Sequence, residues 1–300
     1  MSKRLVFLGT PEVAVIPLRA LVDAGHDVTL VITQPDRRRG RGGATSPSPV
    51  AAAAAELGIP VSHDVADVTG VDAELGVVVA FGRIIAPAVL AAVPMVNMHF
   101  SLLPRWRGAA PVERALLSGD SKTGVGIMAV EETLDTGGVY ASTTLPINDT
   151  DTAAELRTAL ARTGTELLLD VLAGELPKPQ PQVGTPTYAE KLAPGEWELD
   201  WSLPAVPLHR WVRAGHAWTT FRGKRLRILD AEIADTPTDI PAPGTLAADG
   251  DSVATASDTL RLLSVQPEGK APMSWVDFAN GTRPEAGERF GEALPTDGDR

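Results

Sequence analysis

The stretch from Asn97 to Asp135 reads NMHFSLLPRWRGAAPVERALLSGDSKTGVGIMAVEETLD, and it contains the groups best suited to chemistry in the chain. It follows the apolar run VPMV at residues 93–96. If this run is a strand, alternation places the side chains of Asn97 and His99 on the same face of the sheet. The sequence therefore predicts an amide and an imidazole side by side where the strand ends.

A carboxylate comes next along the chain. A second apolar segment, residues 124–130, precedes Asp135, and the glycines that follow indicate a turn. Open α/β sheets place their sites at the ends of neighbouring strands. We therefore expect Asp135 to meet Asn97 and His99.

Outward from this stretch, apolar strands alternate with helices. Residues 4–8, 28–33 and 75–81 are apolar runs typical of buried strands, and Ser48 with Pro49 is typical of a helix start. Thr10 is expected to cap the first helix in the same way. This alternation predicts a doubly wound, mostly parallel α/β sheet that is covered on both faces.

The second half of the chain changes character at a cluster of four prolines between residues 177 and 186. Such a segment is typical of a stiff connector. Several short strand-like runs follow, which predicts a small β-barrel, and the tail after Arg289 is polar. We predict a catalytic domain at 1–176, a linker at 177–204 and a C-terminal domain at 205–300.

Composition narrows the class of protein. The chain has 300 residues, no cysteine and five histidines without metal-ligand spacing, so we expect neither disulfides nor a metal centre. Its longest apolar run is too short to cross a bilayer, and we expect a cytoplasmic protein that is a monomer. No dinucleotide fingerprint or phosphate loop is present, which disfavours a nicotinamide-dependent enzyme.

Positive charge is concentrated in two places, although the formal net charge is −11. Arg37, Arg38, Arg39 and Arg41 lie in a glycine-rich loop, and Lys224 and Arg225 lie in a region that has no acidic residue between Asp200 and Asp230. Local basic regions on an acidic protein indicate a polyanion that is held at a chosen place. Solvated surface charge is the plain alternative for either region.

The order Asn97-x-His99-x-Ser101-Leu102-Leu103-Pro104, followed by Leu-Asp-Thr-Gly at 134–137, resembles the formyltransferase family that uses 10-formyltetrahydrofolate. Other matching motifs run through nearly the whole chain, including FLGTP at 7–11, QPDR at 34–37, TYAEK at 187–191 and LLSVQP at 262–267. The resemblance implies a Rossmann-like formyltransferase domain followed by an OB-like barrel that contacts tRNA.

The same resemblance implies roles for individual residues. Asn97, His99 and Asp135 match the catalytic residues of the family, and Ser101, Leu102, Leu103 and Pro104 match its folate pocket. The four arginines of the loop, Arg41 above all, would approach the acceptor arm of a tRNA. The implied reaction is formylation of the free amino group of initiator methionyl-tRNA by 10-formyltetrahydrofolate, which serves translation initiation.

Formyl transfer gives each catalytic residue a chemical task. An amine attacks the formyl carbon, so the oxygen becomes negative and the amine must lose a proton. The Asn97 amide can donate to that oxygen, and His99 can accept the proton or stabilise the charge. Asp135 can orient the imidazole. The sequence leaves open which nitrogen of His99 carries hydrogen.

Two rival functions share these residues. A formyltransferase that acts on a sugar amine or a purine precursor would have the same catalytic core but would not need the basic regions. A non-catalytic RNA-binding module would need the basic regions but not the trio. Taken singly, Asn97, His99 and Asp135 could each be a structural residue of a strand end or a turn.

Overall fold

A computed structural model of the chain describes residues 2–38, 45–234 and 241–292. The chain forms two compact units. The first comprises Met1–Ala115, Ser121–Ile147 and Glu155–Lys191, and the second comprises Leu116–Asp120, Asn148–Ala154 and Leu192–Arg300. In the part of the chain that is described, no helix combines the length and the apolar character that a membrane crossing requires.

The first unit is built on a seven-stranded sheet. The strands of this unit are β1 (Arg4–Gly9), β2 (Asp27–Ile32), β3 (Arg37–Arg38), β4 (Thr45–Ser46), β5 (Val61–Ser62), β6 (Leu75–Val79), β7 (Met95–His99), β8 (Arg107–Gly108), β9 (Lys122–Ala129), β10 (Val139–Pro146) and β11 (Tyr188–Ala189). The order across the large sheet is β10-β9-β7-β6-β1-β2-β5. Strands β7, β6, β1, β2 and β5 are parallel, and β9 and β10 add an antiparallel hairpin beside β7.

Burial along the strands follows from this arrangement. All residues of β6 are buried, as are the last five of β1, because a parallel sheet is covered on both faces. Strand β10 lies at the edge, and its second half alternates between half-buried and exposed residues. The prediction of a doubly wound, mostly parallel sheet is confirmed.

Among the described residues, five α-helices accompany these strands, namely α1 (Val15–Asp23), α2 (Pro49–Glu56), α3 (Pro87–Ala92), α4 (Pro111–Ser118) and α5 (Ala153–Leu172). The side chain of Ser48 accepts a hydrogen bond from the Ala51 N–H and caps α2, as predicted. Thr10 does not cap α1, because a short 3-10 helix at Glu12–Ala14 comes first. Its hydroxyl instead donates to the carbonyl of Phe81 at 3.5 Å.

The second unit contains a five-stranded antiparallel sheet in the order β12-β13-β15-β14, with β16 paired to β15. Its elements are α6 (Ala205–Ala214), β12 (Trp218–Phe221), β13 (Lys224–Ala234), β14 (Ser252–Ala254), β15 (Thr259–Pro267), β16 (Met273–Ser274) and α7 (Trp275–Thr282). The expectation of a polar tail after Arg289 is wrong at Phe290, which is 2% exposed and stacks on Phe221 with ring centroids 4.7 Å apart.

The predicted limits of 1–176, 177–204 and 205–300 differ from the two units, in which the first continues to Lys191. The proline-rich segment is held to the first unit by backbone hydrogen bonds. Gln180 and Val139 exchange two, each 2.8 Å long, and β11 pairs in parallel with β8. We call residues 180–189 the docked segment.

Candidate active site

Strand β7 presents two polar side chains to one face of the sheet. Asn97 and His99 point to this face because they are two residues apart, whereas Met98 points to the other and is 3% exposed. His99 is itself 5% exposed, which is unusual for a polar residue. Burial of this kind requires hydrogen-bond partners.

Asp135 reaches both side chains from the loop between β9 and β10. One carboxylate oxygen lies 3.5 Å from the Asn97 amide nitrogen. The other lies 3.7 Å from Nδ1 of His99. The three groups that the sequence singled out therefore lie together, although two of them come from one strand and the third from a distant loop.

The backbone around Asp135 is specialised for this approach. Asp135 has φ of 53°, a left-handed conformation that aspartate tolerates better than most residues. Its Oδ2 accepts a hydrogen bond of 2.8 Å from the N–H of Gly108. A Cβ on Gly137 would lie 2.0 Å from the carbonyl oxygen of Ala129, so only glycine fits there. The position of the carboxylate is thus fixed by its hydrogen bond to Gly108 and by the tight turn that carries Asp135.

The hydrogen on His99 can be assigned from its other nitrogen. Nε2 lies 2.9 Å from the carbonyl oxygen of Trp106, which can only accept. Nε2 therefore carries hydrogen, and Nδ1 is the nitrogen that faces Asp135 and can take up a proton. This answers a question that the sequence left open.

A cavity of about 480 Å³ opens onto the trio, a size typical of small-molecule sites. Asn97, His99 and Asp135 all line it. Apolar residues form much of the remaining wall, among them Val78, Phe81, Ile84, Ile85, Met128, Val130 and Leu134. Ile84 and Leu134 are 84% and 62% exposed, so this part of the wall offers apolar surface to a ligand.

The residues expected to form the folate pocket are not among those that line this cavity. Ser101 is fully buried, and its hydroxyl donates to the carbonyl of Arg105 at 2.6 Å. Leu102 packs against Gly124, where an added Cβ would lie 2.4 Å from Leu102 Cδ2. Leu103 and Pro104 complete the loop that leads to Arg105. A direct contact of these four residues with folate stays a prediction.

Sequence reasoning missed the wall at residues 80–85. Strand β6 ends at Val79. The loop that follows includes Phe81, Gly82, Arg83, Ile84 and Ile85, and all five line the cavity. The signal was present, because a glycine and an arginine after a buried strand are typical of a loop at a sheet edge.

Of the basic residues expected to contact tRNA, none that the structure describes is among those that line this cavity. Arg37 and Arg38 form β3, which pairs with β4, and Arg39 and Arg41 fall outside the described residues. Lys224 and Arg225 are exposed at the start of β13. The Arg225 guanidinium lies 4.0 Å from the centroid of the Trp218 ring, a cation–π contact.

Comparison with known proteins gives the family. A model described as Formyl transferase matches residues 3–172, and one described as Formyl transferase, C-terminal domain matches residues 191–283. Methionyl-tRNA formyltransferase of Symbiobacterium thermophilum is 41% identical over 96% of this chain and 95% of its own. The protein of the same name from Acidithiobacillus ferrooxidans is 45% identical over 97% and 99%.

A solved structure shares the fold at lower identity. The N-formyltransferase from Helicobacter canadensis, in complex with folinic acid and dTDP-3-aminofucose, superposes with a TM-score of 0.68 at 15% identity, covering 89% of this chain and all of that one. The family models and the two relatives cover nearly the whole sequence. The chain therefore belongs to the formyl transferase family.

Proposed function

We propose that the protein transfers a formyl group from 10-formyltetrahydrofolate to the free amino group of the methionyl-tRNA that initiates translation. The observation that carries the proposal is the convergence of an amide, an imidazole and a carboxylate on one partly apolar cavity. The two relatives named above, at 41% and 45% identity over nearly their full length, support tRNA as the acceptor.

The reaction forms a bond between the amine nitrogen and the formyl carbon and breaks the bond between that carbon and N10 of the donor. The Asn97 amide donates to the oxygen that becomes negative, a contact whose loss typically costs about 10²- to 10³-fold in rate. His99 Nδ1 takes the proton that the attacking amine releases. Asp135, 3.7 Å away, stabilises the imidazolium that results.

The proton that His99 takes up can then pass to the leaving group. The leaving nitrogen of tetrahydrofolate needs a proton as its bond to carbon breaks, and the imidazolium of His99 can return one. Nε2 remains bonded to the Trp106 carbonyl throughout, so the ring does not have to turn. Direct transfer needs no covalent enzyme intermediate, which agrees with the absence of cysteine from the chain.

We assign the donor to the cavity because its residues suit a folate. The apolar wall, including Phe81, Ile85 and Leu134, can cover the flat pterin ring. Ser101 donates to the carbonyls of Arg105 and Trp106, and the Trp106 carbonyl also binds His99. Direct contact of the loop Ser101–Pro104 with the pterin is part of the proposal that rests on resemblance.

For the acceptor, we propose that Arg37, Arg38, Arg39, Arg41, Lys224 and Arg225 contact tRNA phosphates, and that the protein works in the cytoplasm as a monomer. The exposure of Lys224 and Arg225 supports this role, because phosphate contacts need accessible cations.

The direct test incubates the purified protein with 10-formyltetrahydrofolate and charged initiator tRNA and measures formylmethionyl-tRNA. Uncharged tRNA should inhibit by competition. Absence of product from fresh donor would reject the proposed reaction. Turnover of a nucleotide-linked sugar amine or a purine precursor, with no effect of tRNA, would establish the small-molecule alternative, and tight RNA binding without turnover would favour a binding module.

A further inference from the structure

The docked segment runs past the catalytic loops and is anchored at both ends. Gln180 exchanges two backbone hydrogen bonds with Val139, and Tyr188–Ala189 pairs with Arg107–Gly108. Between these anchors, two side chains bond to the loops that carry Asp135 and Trp106. They are Gln182 and Thr187, and neither lies on the wall of the cavity.

Gln182 joins the two parts of the chain that hold the Asp135 carboxylate. Its Nε2 donates to the carbonyls of Asp135 and Gly137, at 2.8 Å each. Its Oε1 accepts from Nε and Nη2 of Arg107, at 3.0 and 2.7 Å. Arg107 directly precedes Gly108, whose N–H binds Asp135 Oδ2. One amide side chain thus fixes both the turn that carries Asp135 and the strand residue next to Gly108, which donates to the carboxylate.

Thr187 performs the corresponding task for His99. Its Oγ1 accepts a hydrogen bond of 2.9 Å from the N–H of Trp106, whose carbonyl in turn accepts from Nε2 of His99. Trp106 has φ of 62°, a left-handed conformation that a bulky residue adopts only when its surroundings impose it. The backbone of Thr187 also bonds to Pro104 and Arg107, on either side of Trp106.

We propose that Gln182 and Thr187 are positioning residues for the transfer reaction, Gln182 acting through Asp135 and Thr187 acting through Trp106 on His99. The inference rests on the proposed function for its kinetic readout. It also gives the TYAEK motif at 187–191 a physical role, because Thr187 is its first residue.

The first test compares variants that remove one contact each. Gln182→Glu keeps the oxygen that accepts from Arg107 but places a carboxylate against two carbonyls. Thr187→Val keeps the shape but removes the acceptor for Trp106, and Thr187→Ser restores it. We expect the first two to lower kcat by about 10- to 100-fold, as misplacement of a reacting group by ~1 Å can do. KM for methionyl-tRNA should stay close to that of the wild type.

The control is Gln180→Glu. Gln180 lies two residues from Gln182 on the same segment, and in the described part of the chain its side chain donates to the carbonyl of Lys178. It should leave kcat unchanged. Wild-type turnover by Gln182→Glu and Thr187→Val, or failure of Thr187→Ser to recover activity when Thr187→Val has lost it, overturns the inference. Thermal unfolding of each variant identifies any that has not folded.

A double-mutant cycle separates positioning from a general loss of stability. If Gln182 acts through Asp135, then Gln182→Glu should cause little further loss of kcat in an Asp135→Ala protein. Full additivity of the two losses contradicts this pathway.

The last test does not depend on turnover. Crystal structures of the wild type and of Gln182→Glu should show a longer separation between Asp135 Oδ2 and His99 Nδ1 in the variant than the 3.7 Å found here. If the wild type fails to formylate tRNA, the proposed function fails, but this comparison still decides the positioning role. An unmoved carboxylate in the variant overturns it.

Discussion

His99, in the cavity of the first unit, is 5% exposed, whereas Lys224 and Arg225 stand on the exposed start of β13 in the second. The side chain of Asp135 is similarly buried, at 9% exposed. Buried polar groups have fixed partners and directions, so each one has a defined chemical task. Exposed cations contribute to tRNA binding through their charge, and each contribution is small and nearly interchangeable with the others. The comparison teaches that a single substitution should lower kcat strongly when it removes a buried polar group of the cavity, and should only weaken tRNA binding when it removes an exposed cation.

The strongest test of this contrast is His99→Ala. Removal of the group that moves the proton should lower kcat by about 10²- to 10⁴-fold, while the fold persists. Single-turnover kinetics with saturating donor measure the loss. His63→Ala is the matched control, because His63 is exposed and, among the described residues, its imidazole contacts the Thr33 carbonyl, while its bond to Arg83 uses the backbone carbonyl that the substitution keeps. Equal losses in both variants would contradict the assignment.

Asn97→Ala should have the next largest effect. Loss of the donor to the developing oxyanion predicts a kcat about 10²- to 10³-fold below the wild type, with little change in donor affinity. The control is Asn280→Ala, on the exposed face of α7. A rise in KM for the donor with kcat intact would instead make Asn97 a folate-binding residue.

For the basic residues, we predict weaker and more graded effects. Arg225→Ala and Arg41→Ala should each reduce the slope of log affinity against log salt by about 1 and leave folate binding intact. Arg261→Ala removes a charge of the same sign from the second unit, but one that pairs with Glu232 at 2.9 Å. It should leave the slope unchanged. Loss of folate affinity in the Arg41 or Arg225 variant would overturn this division of labour.

The smallest effect on turnover is expected for Ser101→Ala. The buried hydroxyl bonds to the Arg105 carbonyl, so its removal should lower the free energy of unfolding by about 1 kcal/mol. Chemical denaturation measures this loss, and calorimetry with tetrahydrofolate measures binding. An unchanged Kd assigns Ser101 to the support of the loop, whereas weaker binding would favour the folate contact that the resemblance implies.

The fold and the trio were accessible from the sequence for local reasons. Strand alternation put Asn97 and His99 on one face, and the Ser48 cap followed from the residue types alone. The contacts that hold the catalytic residues in place could not be predicted from the sequence. Gln182 binds backbone carbonyls that only the folded chain brings together, and the prolines around it indicated a linker.

Other differences have the same origin. The predicted capping role of Thr10 depended on a helix that starts later, and the burial of Phe290 depends on a stacking partner, Phe221, far away along the chain. Tertiary contacts decided both. The nitrogen of His99 that carries hydrogen was likewise identified from its contact with the Trp106 carbonyl. No sequence pattern specifies the position of that carbonyl.

The most direct measurement of the central claim is a crystal structure with a stable 10-formyl folate analogue and an aminoacylated acceptor-stem mimic. The account predicts the formyl oxygen within about 2.7–3.1 Å of Asn97 Nδ2. It places the acceptor amine within about 3 Å of His99 Nδ1. A formyl group bound away from the cavity, or turned from both side chains, would contradict the account.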